Sequence, residues 1–429
     1  MTTDTSTPPA SRFDGTREEA ERYDRADPLA FLRERFVHAE PGLLYLDGNS
    51  LGRLPADTPE FVAGVIRDGW GRGLVRSWHD WIDWNRRIGD RLARHVLGAR
   101  PGEVVLSDST TVNLYKLASA ALDHAPGRRA LVVDASDFPT DRYVAQGLAR
   151  RHGLELRVVH SDLDRGLDPE DLRAVLDDQV ALVVLSHVAY RSGALADMAA
   201  VNALAREAGA LVLWDLSHSA GAVPVRLAED GADLAVGCTY KYLNGGPGSP
   251  AFLYVRRSLQ ERLRQPIQGW FGQRDQFAMG PDFDPVGTVD RFLTGTPPML
   301  STAALVPALA LVEEAGIDRL RAKGRLLGEL AAEFAARRLA PLGFRLASPA
   351  DPDRRGSHLT LWHPDAWRIC RALADEGVVC DYREPDRLRI GPSPAYTRFT
   401  DVWDALERLR RLVESGRHTR LPHERARVT

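Results

Sequence analysis

Lysine occurs at only three positions in this 429-residue chain, Lys116, Lys241 and Lys323, although Lys and Arg together number 56. Lys241 stands between two tyrosines and just ahead of a glycine-rich turn, in CTYKYLNGGPG (residues 238–248). A lysine amine becomes a nucleophile once it loses its proton, which arginine does not do at working pH. In a chain that gives its surface to arginine, a lysine kept in such a place points to imine formation with an aldehyde. Lys116 lies inside the helical pattern NLYKLASA and Lys323 on what reads as a polar helix face, so neither competes for that role.

Other groups fit the same chemistry. Asp215 ends the apolar run ALVLW, with His218 three residues on in DLSH, one crossover before Lys241. A buried carboxylate there would keep a pyridine nitrogen protonated and so favour electron withdrawal from a reacting carbon. Ser109, Thr110 and Thr111 precede a helix at Val112, offering hydroxyls and free backbone N–H groups to a phosphate. DASDFPTD adds an aromatic ring. Each feature alone is ordinary, since Ser and Thr cap many helices and Asp ends many strands. Together and in this order they suit pyridoxal 5'-phosphate.

The elements that would position these groups alternate. EVVLSD, RRALVVDA, ELRVVH, VALVVLSHV, ALVLWDLSH, ADLAVGCTYKYL and PAFLYVRR read as strands, with helical patterns between the earlier ones. Continuous Val/Leu runs are what strands buried on both faces need. The expected fold is therefore α/β, a mostly parallel seven-stranded sheet with helices on both faces, followed by a smaller α+β C-terminal domain. Such sheets bind ligands at the carboxyl ends of their strands, where all the groups above fall. The expected divisions are a flexible tail over 1–20, a segment over 21–59 packing with the small domain, a large domain over 60–290, the small domain over 291–415 and a polar tail over 416–429.

Several classes are disfavoured. There is no GxGxxG fingerprint, P-loop, GxSxG elbow or HExxH, and no metal-ligand spacing among the histidines. A net charge of −3 offers no basic field for nucleic acid. The polar, acidic N-terminus lacks a signal-peptide pattern, and no long apolar run suggests a membrane span. Cys238, Cys370 and Cys380 form no disulfide framework, so a reduced, cytoplasmic protein is expected.

The chain from about residue 30 to about 415 resembles the kynureninase family, pyridoxal-phosphate enzymes of the aspartate-aminotransferase fold (fold type I). The resemblance rests on YLDGNSLGRLP, STTVNLYK, DFPTDRY, WDLSHSAGAVP, YKYLNGGPGSPAFLYV, GWFGQ, TGTPPML and RLRIGPSPAYTRF. It implies hydrolysis of the Cβ–Cγ bond of L-kynurenine to anthranilate and L-alanine. It also implies a homodimer with cofactor sites at the subunit interface. Carried over position by position, it makes Lys241 the Schiff-base lysine and proton shuttle, with Asp215 facing the pyridinium and His218 beside it. Phe138 would stack on the ring near Asp141, and Thr110, Thr111, Ser186 and Tyr240 would reach the cofactor. Tyr240 would hold the phosphate and relay protons. Trp270 is similar to a tryptophan that bonds the phosphate from the neighbouring subunit, and Arg389 to an arginine that grips the substrate carboxylate. Trp78, Gly295 and Thr296 resemble the bacterial form, which implies a preference for L-kynurenine over its 3-hydroxy derivative. Another enzyme on this fold, such as a cysteine desulfurase, would need a reactive cysteine on an exposed loop. A cofactor-binding regulator without catalysis would have lost Lys241 or Asp215, and both are present.

Overall fold

The computed structural model describes residues 13–422. Its first strand is short, β1 (Leu44–Tyr45). Seven strands then form the principal sheet: β2 (Val104–Leu106), β3 (Ala130–Asp134), β4 (Glu155–Val159), β5 (Val180–Ser186), β6 (Leu211–Asp215), β7 (Leu234–Gly237) and β8 (Phe252–Val255). Their order is β2-β8-β7-β6-β5-β3-β4, with β8 antiparallel to both neighbours and the other pairings parallel. This is the expected mostly parallel seven-stranded sheet. β3, β5, β6 and β7 are buried along nearly their whole length, and their Val/Leu sequences reflect it. ELRVV of β4 mixes polar and apolar residues because it is an edge strand, with Glu155 and Val158 exposed.

The helix Thr110–His124 follows β2, starting where the Ser109 side chain accepts a hydrogen bond from Val112 N. The helix Pro139–His152 follows β3 and opens on a proline, whose fixed φ suits the first turn. Beyond the sheet, the long helices Met299–Ala315 and Ile317–Phe334 lead to β9 (Arg345–Leu346), β10 (Leu359–Trp362), β11 (Val378–Val379), β12 (Asp381–Arg383) and β13 (Arg387–Ile390). Four of these form an antiparallel sheet in the order β12-β13-β10-β9, with its own apolar core around Phe334, Leu361, Ile369 and Leu406. This is the expected α+β C-terminal part. β1 pairs in parallel with β11, Leu44 opposite Val378.

Three local expectations change. The expected loose tail extends to residue 20, yet Arg17–Arg25 is a helix capped by Thr16. Its Ala20 is buried, its Asp24 accepts from Phe399 N at 2.6 Å, and Phe13 and Tyr23 stack towards Phe399. At the other end Arg417–Arg420 forms a single 3₁₀ turn that buries His418, inside the stretch assigned to a polar tail. Residues 1–12 and 423–429 lie outside the described residues. Finally, Lys323 is buried rather than on a polar face, its Nζ 2.7 Å from Asp27 Oδ2. An i, i+3, i+4 reading of that helix takes any lysine as solvated and misses an ion pair formed with a residue far away in sequence.

Candidate active site

The register of the sheet assembles the site. β5 and β6 run side by side with Ser186 opposite Asp215, and Asp215 is in turn opposite Val236 of β7. The chain leaves β7 at Gly237 and turns sharply through residues 238–245, where Gly245 N donates to Thr239 O and Asn244 N to Lys241 O, each at 2.9 Å. This turn carries Tyr240 and Lys241 over the carboxyl edge. DGNSLG locks it from outside: Gly52 N donates to Tyr240 O at 2.9 Å, and a Cβ on Gly52 would lie 2.4 Å from Lys241 O.

A cavity of about 90 Å³ opens at this edge. Thr110, Thr111, Phe138, Asp141, Ser186, Asp215, His218, Tyr240 and Lys241 all line it, so nine residues singled out from the sequence meet at one place. Thr140, Val188 and Ser217 complete the wall. Lys241 Nζ is within hydrogen-bonding distance of His218 Nε2, at 3.2 Å, and lies about 6 Å from the Phe138 and Tyr240 rings. Phe138 is braced edge-on by Tyr190, whose ring in turn carries the Arg191 guanidinium.

Three carboxyls crowd the floor. Asp215 Oδ1 accepts from Ser217 N at 2.8 Å, and Asp137 Oδ1 accepts from Ser186 N at 3.1 Å. The second oxygens of Asp137 and Asp141 are buried without a hydrogen-bond partner. Burial, then the charges of Asp215 and Asp137, push the Asp141 carboxyl well above the usual range, with Lys241 opposing. Burial and the Asp134 charge push Asp137 up to about 8. His218 goes the other way. Burial first, then the Lys241 and His358 charges, hold it well below its ordinary value, so its imidazole is neutral at working pH. Burial raises the Tyr240 phenol, which therefore stays protonated.

The remaining sequence-derived residues lie outside this cavity. Gly295 and Thr296 line a neighbouring cavity of about 350 Å³ that shares Tyr240 as a wall. Trp78 sits with Trp70, Trp81, Met299 and Leu300 around a separate apolar hollow on the surface. Trp270 is 41% exposed, on a segment packed so closely that a Cβ on Gly269 would lie 2.0 Å from Thr294 O. Arg389, on β13, is 1% exposed and already engaged. It forms an ion pair with Asp381 and donates to Tyr190 O at 2.7 Å and Ser50 Oγ at 3.0 Å. Its charge also contributes to holding His358 and His218 neutral.

Two contributors were missed from the sequence. Asp137 lies four residues before Asp141 in the same block, and that spacing could have drawn attention to it. His358, whose ring centre is 5.4 Å from that of His218, arrives at the start of β10 with no local motif to mark it.

A family profile described as the kynureninase C-terminal domain matches residues 320–409. A kynureninase of Pseudomonas fluorescens is 45% identical over 407 residues, covering 93% of this chain and 96% of that protein. One of Burkholderia pseudomallei (strain K96243) is 46% identical over 408 residues, with the same coverage of 93% and 96%. Among solved structures, a C-DES mutant with glycine covalently linked to its PLP cofactor superposes with a TM-score of 0.76 at 18% identity, covering 88% of this chain and 98% of that one. The apo cysteine desulfurase of Thermococcus onnurineus NA1 gives 0.75 at 19% identity, covering 90% and 98%. These two likenesses are of fold. The curated relatives go further, since they are 45–46% identical over 93% of this chain and 96% of their own length: the chain belongs to the kynureninase family.

Proposed function

We propose that this protein is a pyridoxal-phosphate-dependent kynureninase, hydrolysing the Cβ–Cγ bond of L-kynurenine to anthranilate and L-alanine. The observation that carries this reading is the placement of Lys241 beside His218 and across one cavity from Asp215, in a member of that family.

The residues present fit the cofactor. Crowded carboxyls with unpartnered buried oxygens call for a cation, and a protonated ring nitrogen facing Asp215 would supply it. The first N–H groups of the helix Thr110–His124, with the Thr110 and Thr111 hydroxyls, suit a phosphate dianion. Phe138 suits the flat face of the ring, Ser186 its rim, and Tyr240 the phosphate.

When bound, the cofactor supplies an electron sink for the substrate's α-carbon. Lys241 would hold it covalently at rest and, once displaced by the substrate amine, would take the α-proton. His218, neutral and in hydrogen-bond contact, offers Lys241 an acceptor and orients its amine. Asp215 would hold the ring nitrogen's proton, with Asp141 behind it. Tyr240, protonated and shared by both cavities, would pass protons while water adds to the γ-carbonyl and the leaving aryl group departs as anthranilate. Arg389 would meet the substrate carboxylate. Gly295, Thr296 and Trp78 would select the unhydroxylated ring, making L-kynurenine the better substrate and 3-hydroxykynurenine a lesser one.

A second copy would complete the site. Trp270, Phe277 and Met279 form exposed apolar surface at 41%, 68% and 71%, which supports a homodimer in which Trp270 reaches the partner's phosphate. All three cysteines are buried thiols, which supports the cytoplasm and leaves a desulfurase without its exposed nucleophile. Among the described residues no single helix is long and apolar enough to cross a membrane.

The test is anthranilate fluorescence from L-kynurenine with purified, cofactor-loaded protein, run beside 3-hydroxykynurenine and L-cysteine. Formation of anthranilate and alanine in equal amounts is expected. Sulfide from cysteine with no anthranilate would overturn the reading.

A further inference from the structure

Lys116 is the most enclosed of the three lysines, on the buried face of the helix Thr110–His124, and the reaction as derived does not use it. Its ammonium donates to three acceptors outside its own helix: Ser107 Oγ at 2.8 Å, Asp108 Oδ2 at 2.7 Å and Phe292 O at 2.7 Å. Three donors on one compact centre match three converging acceptors, an arrangement a flat guanidinium would not reproduce. Burial pushes the Lys116 amine down and the Asp108 carboxyl up. Asp108 nonetheless ends below its ordinary range because the Lys116 charge and the hydrogen bonds it accepts outweigh burial.

Asp108 carries the connection onward. Its Oδ1 accepts from Thr294 Oγ1 at 3.4 Å, and its carbonyl accepts from Ala251 N at 2.9 Å. Its φ of +42° is one that few non-glycine residues adopt, and it needs surrounding contacts to persist. Asp108, Thr294, Gly295 and Thr296 line the larger cavity, which shares Tyr240 with the cavity at Lys241. One ion pair thus joins the end of β2, the first turns of the helix that starts at Thr110, and the segment that carries Gly295 and Thr296.

We propose that the Lys116–Asp108 pair is a positioning device for the reaction. It fixes the Thr294–Thr296 segment against the start of the helix Thr110–His124, and so sets the shape of the cavity that receives the aromatic end of the substrate. This inference rests on the function proposed above.

Steady-state kinetics of the holoenzyme on L-kynurenine test it, with Lys116→Met, Asp108→Asn, the double variant and Thr294→Val. Lys116→Met keeps the volume but leaves Asp108 without its cation. KM should rise about tenfold with kcat changed less than about threefold, because the groups around Lys241 are untouched. Asp108→Asn keeps a residue that tolerates positive φ, so its effect reports the lost charge. The double variant should recover part of the Lys116→Met loss, since no unpaired buried ion remains. Thr294→Val, at a half-buried position, cuts only the last link and should raise KM about threefold. A lower melting temperature with unchanged KM in both Lys116→Met and Thr294→Val would overturn the proposal in favour of a purely structural pair. If Lys116→Met fails to fold, Thr294→Val decides alone. Wild-type protein that makes no anthranilate would instead remove the proposed function, and the inference with it.

Discussion

Lys241 Nζ lies 3.2 Å from His218 Nε2, a contact between the turns that follow two adjacent parallel strands, β6 and β7. The sheet register fixes this distance, and burial keeps the imidazole neutral so that it accepts rather than repels the amine. Lys241→Ala should therefore abolish anthranilate formation, by at least about a thousandfold. Borohydride treatment should then leave no cofactor mass attached to the chain. His218→Ala should keep the covalent attachment but lower kcat about tenfold or more, because the amine loses its orienting partner. A Lys241→Ala protein with normal turnover would refute the central assignment.

The carboxyl cluster predicts a pH-dependent stability. Asp137 sits at about 8 in the folded chain, against an ordinary carboxyl value when unfolded. Its folded value is raised, so its contribution to stability is complete below the unfolded value. That contribution is lost as pH climbs towards about 8, because only the unfolded chain releases the proton. Asp137→Asn removes the titration while keeping the shape. In cofactor-free protein the variant should gain on the wild type by about 1–3 kcal/mol as pH rises from 4 to 8, and the gap should level off above that. Melting temperatures of both proteins across this range check it; a constant difference would contradict the assignment.

Much of this site was legible because its residues sit at strand ends, and strand ends follow from Val/Leu runs broken by polar residues. Asp215, Lys241 and the Ser109–Thr111 helix start are placed that way by the sequence alone. The scarcity of lysine then singled out Lys241. What stayed hidden depends on contacts between distant segments. Lys323 looked solvated because Asp27 is remote in sequence, and Lys116 looked like helix filling because its partner Phe292 lies on a later segment. His358 reaches the site only through the small sheet. All three lysines serve internal purposes, so the rarity that marked Lys241 was a property of the other two as well.

Trp270 tests the proposed second subunit. In one chain its ring stands clear of the Lys241 cavity, against Phe271 and Phe277. If a partner's cofactor is its target, Trp270→Ala should weaken cofactor binding about tenfold, while sedimentation still reports a dimer. A monomeric wild-type protein with full activity would exclude a shared site.

Arg389 offers the sharpest division between two roles. As a carboxylate clamp it must present N–H groups to the substrate, yet Asp381, Tyr190 O and Ser50 Oγ already accept from it. Removing a guanidinium from a buried pair normally strands the partner charge at a cost of about 3–5 kcal/mol. Here Asp381 keeps a second cation, Arg383, at 2.9 Å, so the loss of stability in Arg389→Ala should be nearer about 1–2 kcal/mol and the protein should still fold. With folding preserved, the kinetics become readable. A clamp predicts that KM for L-kynurenine rises about a hundredfold while cofactor affinity moves less than about threefold, since a charge-assisted hydrogen bond to the substrate is lost and none to the phosphate. Competition by carboxylate-bearing product analogues should weaken in parallel. Equal losses of substrate and cofactor affinity would mean that Arg389 supports the site through Asp381 and the His218–His358 pair rather than by touching substrate.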